Sequence, residues 1–352
     1  PTPIARGITA YYGDMTYGRV SFAIVADRMF KSGPKGKVNT WPGRPDHVKS
    51  PDIDVAALDL PGLHLLGKRQ EDFLEAWSAD WRGADQKIVL SQTIFCNLAN
   101  YHGPRQEFII ADLDANGWPQ SGRNRALALM RKGAAFHLAG DQHLASIVHH
   151  GIDTHRDAGW SFCVPSIAAG YPRSWLPDRE GRPARHRPPP GLPNTGDYFD
   201  GLGNRVSVFA VGNPAEKNRR QPPSATAHDK ASGYGIVRMD PQRQTITMEC
   251  WRLQFDALSP GPDDQFPGWP RTIHQFDNDG REPYATLPEI TFAPGRQPVV
   301  QVIDEATGEL VYSRRIKQTR YRPDVFNPGT YTVRFGDPDR EPMTTRQGIR
   351  VP

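Results

Sequence analysis

Cysteine is scarce in this chain. Only Cys96, Cys163 and Cys250 occur among 352 residues, far apart and without paired spacing, so neither a disulfide framework nor a zinc knuckle is indicated. Long apolar runs are missing as well. No stretch approaches the roughly 20 residues that a spanning helix needs, and no membrane span is expected. Nor does charge of one sign dominate, because 43 Lys and Arg face 39 Asp and Glu, for a net charge of +4. Specific nucleic-acid binding draws on a clustered basic field and is not implied.

Proline and glycine, by contrast, are plentiful, at 34 and 33 residues beside a hydrophobic content of 37%. That balance describes a globular chain with long ordered loops, not a helical bundle or repeat array. The length gives room for one large domain plus a small one, with a sizeable core. The first residue is Pro1, a strand-like run follows closely, and the opening residues do not read as a signal peptide. The expectation is that processing or truncation removed an upstream segment.

Taken in order, Tyr17 to Asp27 (YGRVSFAIVAD) reads as a buried strand ending in Asp27 and Arg28. Leu66, Phe73, Leu74 and Trp77 fall on one face of a helix from about Lys68 to Ala79. Lys87 to Leu90 makes a short strand that ends in Ser91, Gln92 and Thr93. A second helix is predicted from Asn124 to Lys132, with Ser121 as candidate cap, feeding a strand that stops at Gly140. Three strands separated by helices or crossovers thus end in polar residues. Open α/β sheets bind ligands at the carboxyl ends of their strands, and the pattern argues for an α/β layered domain.

The third strand end is the densest in chemistry. Ala134 to Ile152 reads AAFHLAGDQHLASIVHHGI, and His137, His143, His149, His150 and His155 lie in or beside it, out of 11 histidines in all. In an extended chain Asp141 and His143 project to the same side and could share one metal ion or two adjacent ones. The same pair also fits an ordinary strand end with a surface Asp and a satisfied His. A structural metal on His149, His150 and His155 is disfavoured, because neighbours on a strand point opposite ways.

After His155 the chain turns β-rich. Trp160 to Ile167 reads as a strand, the Arg- and Pro-rich segment 177–196 as a solvated loop, and 213–232 as a second polar insertion. Tyr234 to Met239 and Gln244 to Arg252 read as a hairpin around Asp240 and Pro241. From about Leu287, strands at 299–303, 310–316 and 330–335 suggest a small appended β-sandwich, with Arg314 to Arg322 as a solvated strand face.

Six segments, VSFAIVADRMFKS, LLGKRQEDFLEAW, KIVLSQTIF, DLDANGWPQSGRNRAL, FHLAGDQHLAS and ASGYGIVRM, resemble in order and spacing the PhoD-like phosphatases. These are a branch of the calcineurin-like metallophosphoesterase superfamily, and the resemblance covers about two-thirds of the chain. It implies an α/β fold: a layered β-sandwich flanked by helices, metallophosphoesterase-like, with its N-terminal part missing and a small C-terminal β-sandwich domain. Residues 1–286 would be the later part of the catalytic domain and 287–352 the sandwich.

The implied activity is metal-dependent hydrolysis of phosphate mono- or diesters at a binuclear centre, this chain supplying part of the site. Gly140, Asp141, Gln142 and His143 look like the superfamily's final Gly-His-x-His motif in its Asp-bearing form. By that likeness Asp141 and His143 would be catalytic and metal-binding, one at each ion. Gln92 sits where the superfamily places a further metal-binding His, and with Asp114 and Trp118 it is carried over as substrate-binding, a structural role for Trp118 standing beside that. Asp27 and Arg28 match a position expected to be a fold-stabilising ion pair. Two or more divalent or trivalent metal ions are implied, iron and calcium favoured, manganese or zinc possible. The expected partners are a phosphate-ester substrate and the missing N-terminal half of the same polypeptide, because the family's earlier ligands have no match here; Gly13 and Asp14 stand at the wrong place. An exported, periplasmic or extracellular location follows from the same likeness. The competing reading is a non-catalytic surface or binding protein that retains the fold.

Overall fold

The computed structural model describes residues 3, 7–167, 170–182, 184–215 and 223–352. Of the expected polar insertion at 213–232, the part at 216–222 lies outside these. The chain enters through a hairpin of β1 (Gly13–Tyr17) and β2 (Val20–Ile24), then passes β3 (His47–Val48) and helix α1 (Lys68–Ala79) into β4 (Gln86–Thr93). Short strands β5 (Tyr101–His102), β6 (Glu107–Phe108) and β7 (Ala111–Asp112) precede helix α2 (Gln120–Lys132), which feeds β8 (Phe136–Gly140). There follow β9 (Ala145–His150), β10 (Trp160–Cys163), β11 (Arg173–Ser174), β12 (Gly196–Phe199), β13 (Arg205–Gly212) and the short helix α3 (Pro223–Asp229). The hairpin β14 (Gly233–Asp240) and β15 (Thr245–Arg252) leads through β16 (Arg271–His274) to the C-terminal strands.

One eight-stranded sheet dominates, in the order β1-β2-β4-β8-β10-β9-β13-β12. Its middle, β2, β4, β8 and β10, is parallel, and both flanks are antiparallel. Parallel strands are covered on both faces and therefore read as continuous apolar runs, as in VSFAI and KIVL. Ala23, Val89 and Ala135 face the helices, packing against Leu74 and Trp77 of α1 and Ala126, Leu127 and Met130 of α2. On the opposite face Val20, Ile88 and Phe136 meet Ile246, Met248 and Cys250 of the β14-β15-β16 sheet, together with Trp269 and Ile273. The molecule is β-rich with few helices. Among the described residues no helix is long and apolar enough to cross a membrane.

Helix α1 spans the expected 68–79. Helix α2 starts four residues earlier than expected and is not capped by Ser121, because Pro119 occupies the cap position. The Ser121 backbone N–H and hydroxyl instead donate to the Asp59 carboxylate at 2.7 and 3.0 Å. A carboxylate from a remote loop thus supplies the acceptor that helix N-termini need.

The C-terminal part forms a four-stranded antiparallel sheet of β19 (Val299–Asp304), β20 (Leu310–Arg315), β23 (Gly329–Gly336) and β24 (Thr344–Val351). Against it pack the short ladders of β17 (Ala285–Thr286) with β22 (Asp324–Val325) and β18 (Ile290–Thr291) with β21 (Arg320–Tyr321). The expected solvated face at Arg314 is corrected here: Arg314 and Arg315 are 6% and 1% exposed. Arg314 pairs with Asp279 at 2.9 Å, and Arg315 reaches Asp85, Asp337 and Asp339.

Candidate site at the carboxyl ends of the parallel strands

The ends of β2, β4 and β8 lie side by side. In the β4–β8 ladder the register slips between Leu90 and Thr93, so β4 bulges at Ser91 and Gln92. Bulges re-aim side chains next to functional sites. This one is held by Asp27, whose carboxylate accepts the backbone N–H groups of Gln92 at 2.9 Å and Thr93 at 3.0 Å, and the Asn116 amide. The expected Asp27–Arg28 ion pair is therefore corrected, since the Asp27 oxygens are taken up by amide donors.

Arg28 turns instead to Asp114 and Asp141. Its Nη2 donates to Asp114 Oδ1 and Oδ2 at 2.7 and 2.8 Å, and its Nη1 lies 3.7 Å from Asp141 Oδ2. The Thr93 hydroxyl donates to the same Asp141 oxygen at 2.9 Å. Lys31 closes the group by donating to the carbonyls of Asp114 and Ala115 at 2.6 and 2.7 Å. Burial pushes the Lys31 amine down to about 7.

Beyond Gly140 the chain is not extended. Asp141 and His143 have φ of +64° and +50°, left-handed values that cost a non-glycine residue about 1 kcal/mol or more each. The extended-chain alternation expected from the sequence therefore does not present the pair; a turn does, closed by the Gln142 N–H on the Gly140 carbonyl at 2.8 Å. The His143 Nδ1 meets the Tyr171 carbonyl at 2.9 Å, and among the described residues Nε2 has no hydrogen-bond partner.

Asp114 and Asp141 are joined through Arg28, and Gln92 stands exposed on the bulge that Asp27 secures. Trp118 is placed differently: it is 1% exposed, its indole N–H donates to the Leu58 carbonyl, and it packs with Val48, Leu58 and Leu202. It touches the network through Lys31, whose Nζ lies 5.9 Å from its ring centroid, and through its backbone N–H, which donates to the Ala115 carbonyl at 3.2 Å. His149, His150 and His155 each have partners of their own, respectively the Ala158 carbonyl, Ser161 with Arg123, and the Tyr198 carbonyl.

Sequence reading missed Lys31, Thr93 and Asn116 as members of this network. Their only signal was position: Lys31 in the loop that follows β2, Thr93 at the last residue of β4 and Asn116 within DANG.

The donor set can be tested against a binuclear centre. Asp141 and His143 supply a carboxylate and an imidazole, and the buried Asn116 Oδ1 and Gln142 Oε1 have no partner among the described residues. Such oxygens suit hard cations. Yet among the described residues neither Asp141 nor His143 belongs to a group of three or more His, Cys, Asp or Glu with converging ligand atoms. The described residues do not complete a two-ion site.

A converging group does exist alongside. Ligand atoms of His47, His102 and Asp112 all lie within 4.8 Å of one another. Asp112 Oδ1 accepts the Asp114 N–H at 2.9 Å, linking this group to the network above. Burial holds the Asp112 carboxyl above its usual range and pushes the His102 imidazole down to about 4.

No protein-family model matches the chain, and no curated protein matches it. Among solved structures it is similar to one entitled "Structure of PhoD", at 16% sequence identity and a TM-score of 0.40, over 72% of this chain and 40% of that chain. The chain thus spans less than half the length of that structure, and a likeness of this degree assigns neither activity nor residues.

Proposed function

We propose that the chain is the later portion of a metal-dependent phosphoric ester hydrolase of the PhoD-like type, acting on mono- or diesters. Residues 1–286 would be its share of a metallophosphoesterase-like catalytic domain, and 287–352 an appended sandwich. The observation that carries the reading is the meeting of three parallel strand ends in one hydrogen-bonded network, beside a turn that holds Asp141 and His143 in a costly backbone conformation. Strain of this kind persists where the surroundings enforce it, and it clusters at functional sites. The ordered motifs that resemble the PhoD-like phosphatases supply the reaction class.

In this reading Asp141 and His143 are metal ligands, and the remaining ligands come from sequence upstream of Pro1. Iron with calcium is the leading choice. Bound ions would supply a hydroxide at neutral pH and neutralise charge on the phosphoryl oxygens. The chain's own residues position: Asp27 fixes the bulge, Arg28 orients Asp141 and Asp114, and Gln92 and Asp114 face the ester. Export from the cytoplasm belongs to the same proposal.

The test uses the full polypeptide containing this chain, with aryl phosphate and diaryl phosphate as probes and metal content measured alongside. The Asp141→Ala/His143→Ala double variant is expected to lose about a hundredfold or more, since even outer-shell partners of a metal are worth about 10- to 100-fold. Full activity with unchanged metal content would remove these residues from the site. The incomplete donor set favours a second reading, a binding protein that keeps the fold without turnover. Absence of hydrolysis by folded, metal-loaded full-length protein would select it.

A further inference from the structure

We propose that His47, His102 and Asp112 form a second metal site, taking one zinc-like divalent ion that staples the loop before α1 to the segment carrying Asp114. The site is separate from Asp141 and His143 and does not depend on the hydrolase reading.

Backbone pairing prepares it. His47 and Asp112 are directly opposite in the antiparallel β3–β7 ladder, so their side chains leave the same face. Strand β5 brings His102 beside them, its ring edge-on to that of His47 at 5.1 Å between centroids. Separations within 4.8 Å compare with about 3.4 Å between donors around a tetrahedral zinc with bonds of about 2.0–2.1 Å. Small rotamer adjustments close that gap.

The ligands are also oriented and unspent. His102 Nε2 is engaged with the Ala99 carbonyl at 2.7 Å, the outer contact that typically fixes a ligating imidazole, and this leaves Nδ1 with a free lone pair. One Asp112 oxygen takes the Asp114 N–H. The His47 imidazole makes no hydrogen bond among the described residues. Asp112 is 2% exposed, yet among those residues no Lys or Arg forms an ion pair with it; Arg44, the cation beside His47, is taken by Asp46. A carboxylate this buried, with Arg173 nearby but no ion pair among the described residues, is a group such a site would satisfy. Two imidazoles and a carboxylate with an open fourth position, on the half-buried His47 side, match the donor chemistry of zinc.

The experiment adds zinc to the chelator-stripped full polypeptide carrying Asp141→Ala and His143→Ala, which removes the two ligands this chain offers the other centre, and follows uptake by competition with a chromophoric chelator. Cobalt(II) replaces zinc in a parallel titration. One equivalent is expected, with the intense visible bands of four-coordinate cobalt and a zinc-dependent rise in Tm. Adding His47→Ala, a half-buried change whose fold is checked by circular dichroism, is expected to weaken uptake at least tenfold and abolish the Tm shift. Asp112→Asn is expected to do the same. No uptake by the parent, or equal affinity in the folded His47→Ala protein, would overturn the proposal.

Discussion

Lys87 shows what one residue can store. Its ammonium sits 4.1 Å from the centroid of the Trp77 ring and donates to the Trp77 and Asp80 carbonyls at 2.5 and 2.6 Å. Burial pushes its pKa down to about 7, whereas the unfolded chain titrates it near 10.4. Between those values the unfolded state binds a proton that the folded state has released. Stability from this group therefore climbs as pH rises from about 7 to about 10, and is lost as pH falls back toward 7. The Lys87→Met variant is expected to flatten that climb, read as the difference between urea midpoints near pH 7 and near pH 10 in variant and parent. An equal difference in both proteins would assign the pH dependence elsewhere.

Among elements, the end of β4 matters most to the site, and Asp27 holds it. Asp27→Ala strands two backbone N–H groups and the Asn116 amide, with an expected cost of about 3 kcal/mol. It should also release the bulge, visible as faster amide exchange at Gln92 and Thr93; unchanged exchange there would show that the ladder holds the bulge alone. Much at this scale was legible beforehand. The spacing of Phe73, Leu74 and Trp77 fixes α1, and the polar residues closing three apolar runs mark where strands end. The start of α2 was not legible, because its acceptor, Asp59, is 62 residues away from Ser121. Nor was the geometry of Asp141 and His143, since the chain turns at Gly140 and alternation stops applying. His47, His102 and Asp112 left no pattern, because two-residue strands too short to show a period bring them together. Strand β24 was missed because TTRQGIRV is largely exposed and polar, an edge without an apolar face.

At the scale of the molecule, the C-terminal sheet meets the rest through buried charge. Arg315 donates to the Trp81 carbonyl and reaches Asp85 at 3.5 Å, Asp337 at 3.4 Å and Asp339 at 3.1 Å. Arg19 and Lys317 bind the same Asp85 at 2.7 and 2.9 Å. The reading of Arg314 to Arg322 as solvated failed at Arg314 and Arg315, because their carboxylate partners come from distant segments, and holds at Arg320 and Arg322, which are exposed. Removing Arg315 takes the donor from the Trp81 and Gln297 carbonyls and one cation from each of three carboxylates, and Arg315→Ala is expected to cost about 3 kcal/mol. Urea midpoints check this, and a loss below about 1 kcal/mol would place the network with ordinary surface pairs. A seam keyed by ions has no half-open position. Slipping by an ångström or two would pull cations away from Asp85 and Asp337, which are shielded from water, so the C-terminal sheet is expected to stay latched until the fold gives way, and a protease probing that junction in the native protein would find no intermediate gap to enter.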